Sequence, residues 1–399
     1  MIIWAQGVVS ALRDSWAGAI RLDVDLDPED NLDPGGNLHP EDNLDVGHDD
    51  LAAPTPPRTT IPALAYPDLV GKPVVGDRVL LNTAAYQRGL GTGGFALVVA
   101  VPDRLPTSSP GPGHLVKARY TPLQSMVLGV DDQESPHHDV LHDADSLEGM
   151  PVVAADLHSS LPAVVAGVRA RPGGENLRVA YVMTDGGALP AAFSASCAGL
   201  REAGWLASVI TTGQSFGGDF EAVTVHTGLL AARHVVHADV AVVTQGPGNL
   251  GTGTRWGFSG VALGEALNAT GVLHGRGIAA LRISAADERP RHRGVSHHND
   301  TAYGRVLMRP TDLVIPDLTG CEGVDPAFAG YVRTQAVELI DRAPHLRGVS
   351  IRCEHLRQAL GASPVRLSTM GRGVDQDPAA FLAAAAAGWH AAALTSANA

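Results

Sequence analysis

Thr244-Gln-Gly-Pro-Gly-Asn-Leu-Gly-Thr-Gly-Thr-Arg-Trp-Gly-Phe-Ser-Gly260 decides how this chain reads. Six of its 17 residues are glycine. Before it runs Ala238–Val243, apolar enough for a buried strand, and after it Val261–Asn268, patterned as a helix. A strand, a long glycine-rich turn and a helix are how open α/β sheets build ligand sites at the carboxyl ends of their strands.

Outward from that stretch the same rhythm repeats. Strands are expected at Val152–Ala155, Arg178–Met183, Ala207–Thr212, Val240–Thr244, Gly277–Ile283 and Asp312–Ile315, with another at Gly348–Ile351. Helical patterns fill the gaps at Leu161–Ala170, Leu189–Ala203, Glu221–His237, Val261–His274 and Pro326–Ile340. Such alternation predicts a mainly parallel sheet with helices on both faces, a Rossmann-like three-layer α/β domain over 148–399. Residues 1–147 read differently. Short strands such as Arg78–Leu81, Phe95–Ala100, His114–Tyr120 and Ser125–Val130 are separated by turns, which predicts a small β-rich domain, barrel or sandwich. A second glycine turn, Gly89–Gly94, lies within it, and Leu90-Gly-Thr-Gly93 repeats Leu250-Gly-Thr-Gly253. The two turns would face each other across a cleft.

Charge is unevenly spread. Of the net −13, 11 acidic residues fall between Asp23 and Asp50, where there is no Lys or Arg, leaving −2 for the rest of the chain. Pro-Glu-Asp-Asn-Leu-Asp occurs at 28–33 and again at 40–45. So acidic a segment buries little apolar surface, and about 23–62 is expected to be a disordered insert. Asp23-x-Asp25-x-Asp27 starts like a calcium loop, but Pro28 and Pro34 replace the glycine and glutamate that loop requires. The near-neutral remainder offers no basic field for nucleic acid. No 18-residue apolar stretch, no basic-then-apolar leader and three unpatterned cysteines, Cys197, Cys321 and Cys353, argue against a membrane partner and for the cytoplasm.

Candidate chemistry gathers after the strands. Gly246, Gly248 and Gly251 form a GxGxxG, yet no acid ends the following strand as a dinucleotide site requires. Gly248-x4-Gly253 has phosphate-loop spacing, but Thr254 and Arg255 replace the lysine and hydroxyl residue of that loop. What remains is an anion cradle: backbone N–H groups around Gly246, Gly248, Gly251 and Gly253, hydroxyls of Thr252 and Thr254, and the forked guanidinium of Arg255. Gly217 and Asp219 follow another strand. Asp156, Ser159 and Asp219 read equally well as helix caps. Asp185, between Thr184 and two glycines, is the expected acid–base or metal carboxylate, with His297 or His158 as its partner. Arg289-Pro-Arg-His-Arg-Gly-Val-Ser-His-His298 reads as a lid with Arg291 and Arg293 for an anion or as a solvated basic loop; His292, His297 and His298 are also candidate metal ligands, with His137, His138 and His158 available if the fold gathers them.

Val79–Thr83, Gly89–Gly94, Tyr120–Gln124, Ser135–His138, Val182–Pro190, Gly217–Asp219, Gly246–Gly248, Gly251–Arg255 and His292–His298 together resemble a bacterial family, common in actinobacteria, that carries a domain-of-unknown-function label. The likeness spans about 65–315. It implies a folded protein and supplies no activity. The expected function is therefore a hydrolase or transferase acting on a small anionic, phosphate- or nucleotide-like ligand at the strand ends, its cofactor unknown and a divalent metal a candidate. A non-catalytic ligand-binding or assembly protein using the same cleft is the alternative, and a homo-oligomer is left open.

Overall fold

The computed structural model describes residues 2–30, 59–89, 94–107 and 111–395. Two compact units divide the chain, Met1–Ser109 and Pro110–Ala399.

The first unit is a closed barrel. Its strands are β1 (Trp4–Trp16), β2 (Ala19–Leu26), β3 (Thr60–Ala65), β4 (Arg78–Asn82) and β5 (Ala96–Ala100), in the order β1-β2-β3-β5-β4, with short helices α1 (Pro67–Val70) and α2 (Ala84–Gln87) between them. Alternate residues fill it: Val9, Leu22, Val24, Leu26, Ile61, Ala63, Val79, Leu81, Ala96 and Val98 are buried. The start of the acidic segment belongs to this barrel. Asp23-Val-Asp-Leu-Asp27 has the period of two of a strand, apolar side chains inward and carboxylates outward. Asp23 pairs with Arg13, Asp25 accepts from Thr60 and Asp27 pairs with Arg78. The expectation of a disordered insert is thus corrected at both ends, since 23–26 and 60–62 are paired strand residues. Asp23 and Asp25, the first acids of the calcium-loop pattern, are strand residues paired with Pro62 and Thr60, and the last positions of that pattern lie outside the described residues. Residues 31–58 and the centre of the glycine turn, 90–93, lie outside the described residues.

The second unit begins with a hairpin of β6 (Leu115–Lys117) and β7 (Ser125–Val127), then α3 (His138–Leu141). The sequence places these with the first domain. The structure places them with the second, because Lys117 is fully buried there, its ammonium bonded to the carbonyls of Gly213, Ser215 and Ala222 at 2.8–3.1 Å and 3.3 Å from Glu221.

The sheet strands are β8 (Pro151–Ala154), β9 (Val179–Thr184), β10 (Ser208–Thr211), β11 (Phe220–Glu221), β12 (Val240–Gln245) and β13 (Arg276–Ala280). A hairpin, β14 (Ile283–Ser284) and β15 (Gly294–Val295), follows, then β16 (Thr311–Asp317), β17 (Leu346–Arg352) and a last hairpin, β18 (Ser368–Thr369) and β19 (Arg372–Gly373). Helices α4 (Leu161–Ala170), α5 (Ala195–Glu202), α6 (Val225–His234), α7 (Ala262–Val272), α8 (His297–Thr301), α9 (Pro326–Arg342), α10 (Leu356–Gly361) and α11 (Pro378–Thr395) connect and cover them. Eight strands form one sheet, β11-β10-β9-β12-β8-β13-β16-β17, and every pairing in it is parallel. Both faces are buried. Val152, Ala180, Val182, Ala241 and Val243 pack with Leu229 and Leu230 of α6 and Ala266 of α7. Val153, Tyr181, Met183 and Val242 pack with Val164 of α4, Leu200 of α5 and Phe381 of α11.

The expectation that no 18-residue apolar stretch exists is corrected by the alanine-rich C-terminal segment. It is one 18-residue helix, α11, long and apolar enough by length and composition to span a membrane, but 78% of it is buried inside the protein.

Candidate functional site

Strand order sets the site. From β8 the chain moves outward through β9, β10 and β11, returns to insert β12 between β9 and β8, and then proceeds the other way through β13, β16 and β17. The direction reverses around β8, and it is beyond the carboxyl ends at such a reversal that open parallel sheets bind ligands. Three loops meet there, after β8, β12 and β13.

Asp156, two residues past β8, is the centre. Its carboxylate is 2% exposed and accepts from Arg282 Nη1 at 2.7 Å, from His298 Nδ1 at 2.8 Å and from Asn249 Nδ2 at 3.2 Å. Its backbone carbonyl accepts from Gln245 Nε2 at 2.8 Å. Burial pushes this carboxyl up; the His298 hydrogen bond and the Arg282 charge outweigh it and hold the group below the usual carboxylate range. Gly260 makes room, since a Cβ there would stand 1.9 Å from Asp156 Oδ1. The residue is no helix cap: α4 has Ser160 at that position, without a side-chain cap bond.

Three imidazoles adjoin this carboxylate. The ring centroids of His292, His297 and His298 are 4.5–5.0 Å apart. One ring nitrogen from each lies within 4.8 Å of the others. Phe258 stacks on His298 at 3.7 Å with 7° between planes. His298 uses Nδ1 on Asp156, and His292 uses Nδ1 on the Ser296 hydroxyl at 2.8 Å. The Nε2 of His297 is buried without a partner among the described residues, as are Asn299 Nδ2 and Gln245 Oε1. Burial and then the charges of Arg282 and Arg289 push His292 down to about 3. His297 is lowered by burial, His298, Arg291 and Arg282. Both rings are therefore neutral bases at neutral pH.

Exposed arginines fringe the cluster. Arg255, Arg291 and Arg293 are exposed, and their guanidinium groups have no hydrogen-bond or ion-pair partner among the described residues. Arg291 reaches to 4.0 Å from where a Cβ on Gly253 would stand. Arg255 is tied by its carbonyl to Thr301 of α8, the helix that carries His297 and His298.

The other expected residues fall elsewhere. Thr252 and Thr254 turn inward: their hydroxyls are 3.2 Å apart, the Thr252 N–H donates to the Gly257 carbonyl, and the Gly257 N–H donates to Thr254 Oγ1. Gly251 bridges to Phe258, so the loop closes on itself as a small hairpin. Gly246 donates to Thr184, while Gly248 and Gly253 supply the left-handed turns at φ of 90° and 80°. Asp185 is exposed and accepts from the Gln214 N–H at 3.0 Å. His158 is held between Tyr181 Oη at 2.9 Å and Ser194 Oγ at 2.6 Å, and burial pushes it down to about 4. No hydrogen bond or ion pair among the described residues joins Asp185 to His158 or His297. Asp219 braces the start of β10, bonding Val209, Ser208 and Arg201, and Gly217 donates to Glu221. His137 and His138 lie at the start of α3, where His138 bonds the Asp131 carbonyl, apart from the histidine trio.

The sequence reading passed over Asp156, Arg282, Asn249 and Phe258 as site residues. One signal was present: a charge placed directly after a fully buried strand, at the ends of both β8 and β13.

A family model described as "Protein of unknown function (DUF3866)" matches residues 62–388. No curated protein and no solved structure matches the chain.

Proposed function

This chain belongs to the DUF3866 family, and we propose that it is a hydrolase or transferase acting on a small anionic, phosphate- or nucleotide-like ligand at the carboxyl ends of β8, β12 and β13, used in the Rossmann-like manner. The observation that carries this reading is the buried Asp156–Arg282–His298 network beside three exposed arginines whose guanidinium groups have no partner among the described residues. A fold gains little from an ion pair buried at its strand ends, because desolvation offsets the attraction; perturbed titratable groups in such a place go with function. Arg255, Arg291 and Arg293 would fork onto the anion. His297, half-buried and neutral, would take or give a proton beside it. Nucleic acid and membrane are not partners in this reading, a cytoplasmic setting goes with its three free, buried cysteines, and a homo-oligomer remains open.

The test is a thermal-shift screen against nucleotides, sugar phosphates and carboxylates, followed by turnover assays on whatever binds. A ligand at a hundred times its dissociation constant stabilises the folded state by about 2.7 kcal/mol. The expected result is a shift that is lost in Arg291→Ala and reduced in Arg255→Ala. Leu250 and Trp256, 67% and 56% exposed on the same loop, favour the second reading, a non-catalytic binding or assembly protein. A flat screen would move the weight there.

A further inference from the structure

We propose that His292, His297 and His298 bind one divalent transition-metal ion through their Nε2 atoms, with Asp156 as the carboxylate that orients His298. This deepens the reading above, commits His297 to the ion in place of proton transfer, and rests on that reading for the identity of the open-site ligand only.

The geometry comes first. A ring bonded through nitrogen at zinc-type distances of about 2.0–2.1 Å has its centroid roughly 3.2 Å from the ion, so two such rings in a tetrahedral site stand about 5.2 Å apart. The three observed separations are 4.9, 5.0 and 4.5 Å. One ring nitrogen of each lies within 4.8 Å of the others and would draw in to roughly 3.4 Å around the ion.

The hydrogen bonds agree. His298 spends Nδ1 on the Asp156 carboxylate, which can only accept, so its Nε2 keeps the lone pair a metal requires. His292 Nδ1 lies 2.8 Å from the Ser296 hydroxyl, which accepts from it when Nε2 takes the ion. His298 to Asp156 is the histidine–carboxylate pairing that backs metal-bound imidazoles. His297 Nε2 is buried with no partner among the described residues, an unfavourable state for a polar atom unless something fills it. Phe258, flat against His298, holds that ring in place.

Electrostatics point the same way. Arg282 would repel a cation, but its charge is matched by Asp156 at 2.7 Å. Three protein nitrogens leave a fourth position open, as catalytic sites do and structural ones do not. Imidazole sets suit zinc, cobalt, nickel, copper and iron, and discriminate against magnesium and calcium. When bound, such an ion polarises an oxygen of the ligand or lowers the pKa of a bound water. The exposed arginines beside the open position fit an anion arriving there.

The experiment uses the full chain, stripped with a chelator. Co²⁺ is titrated in and followed by its visible d–d bands, then displaced with Zn²⁺ against a chromophoric competitor. The expected result is one ion per chain with the band intensity of four- or five-coordinate cobalt. His297→Ala, at a half-buried position, and His298→Ala should each abolish that spectrum, and Asp156→Asn should weaken Zn²⁺ binding roughly ten- to hundredfold. His114→Ala, on an exposed histidine in the β6 hairpin region, should leave it unchanged. Thermal unfolding without metal keeps a folding failure separate: His297→Ala should melt within a few degrees of the wild-type chain. Binding that survives intact in both histidine variants, or no binding by the folded wild-type chain, overturns the proposal. Stabilisation by phosphate that persists in metal-stripped protein lacking Co²⁺ binding would sink the metal centre and keep the anionic-ligand reading. Co²⁺ bound at the histidines, with no anion altering its spectrum or the melting temperature, would do the reverse.

Discussion

Asp156 carries the most consequence of any single residue. Its charge is tolerable inside the protein only because Arg282, His298 and Asn249 meet it. Arg282→Ala leaves that carboxylate without its cation, and breaking a buried pair in this way costs about 3–5 kcal/mol. Urea unfolding of Arg282→Ala and of the Asp156→Asn/Arg282→Ala double variant checks this. The double variant should be the more stable of the two, since the uncompensated charge is gone. His158 makes a prediction of the opposite kind, concerning pH. Burial pushes it down to about 4, while an unfolded histidine titrates at about 6.5. Its folded-state value is depressed, so the unfolded chain takes up the proton first. The contribution is fully present above about pH 6.5 and is lost as pH falls through 4, amounting to roughly 3 kcal/mol by pH 4. His158→Gln should flatten that part of the stability-versus-pH curve; an unchanged slope would mean that the ring titrates freely.

Among the elements, the contact of α4 with α11 is the one most exposed to a single change. Both helices are buried around most of their circumference. They meet through glycine, where a Cβ on Gly167 would stand 1.9 Å from the Ala385 carbonyl oxygen and one on Gly388 would stand 1.9 Å from that of Val164. Two effects compete in Gly388→Ala. Helix propensity favours alanine by about 1 kcal/mol. The clash is with backbone, which cannot rotate away, and overpacking of this sort costs about 1–3 kcal/mol or more. The clash should win, giving a net fall in melting temperature. A rise would mean that the helices can part without cost. The same small residues explain why the burial of α11 is not legible in sequence: alanine and glycine carry no strong periodicity, and their burial comes from close approach rather than from an apolar stripe.

At the level of the whole molecule, the two units have separate cores. The barrel cluster contains residues from Ala5 to Val101 only, and the two sheet clusters begin at Val130. A domain with its own core is expected to fold alone. A fragment of residues 110–399 should therefore unfold cooperatively and keep the histidine centre. One of 148–399 should be markedly weaker, because it lacks Val130, Leu141 and Leu147 of the sheet's core and the buried ammonium of Lys117. Calorimetry of the two fragments separates a boundary near 110 from one near 148; equal stability would favour the later boundary.

Much of this architecture was legible in the chain itself. Continuous apolar runs such as Val240–Val243 mark strands buried on both faces, and the helical patterns between them require parallel pairing, because both signals are local and survive without partners. Asp23–Asp27 shows where local reading failed: charge content hid a period of two that the barrel uses. The site was only half visible. His292, His297 and His298 lie close in sequence and stood out, as did the arginines around them. Asp156 did not, because a carboxylate before a helix looks like a cap until its partners are known. Those partners, Arg282 and His298, are 126 and 142 residues away. They reach Asp156 only because β12 and β13 flank β8 in the sheet. Strand order is set by the summed packing of helices on both faces, which no local stretch encodes, so the elements belong to the sequence and their meeting point to the tertiary fold.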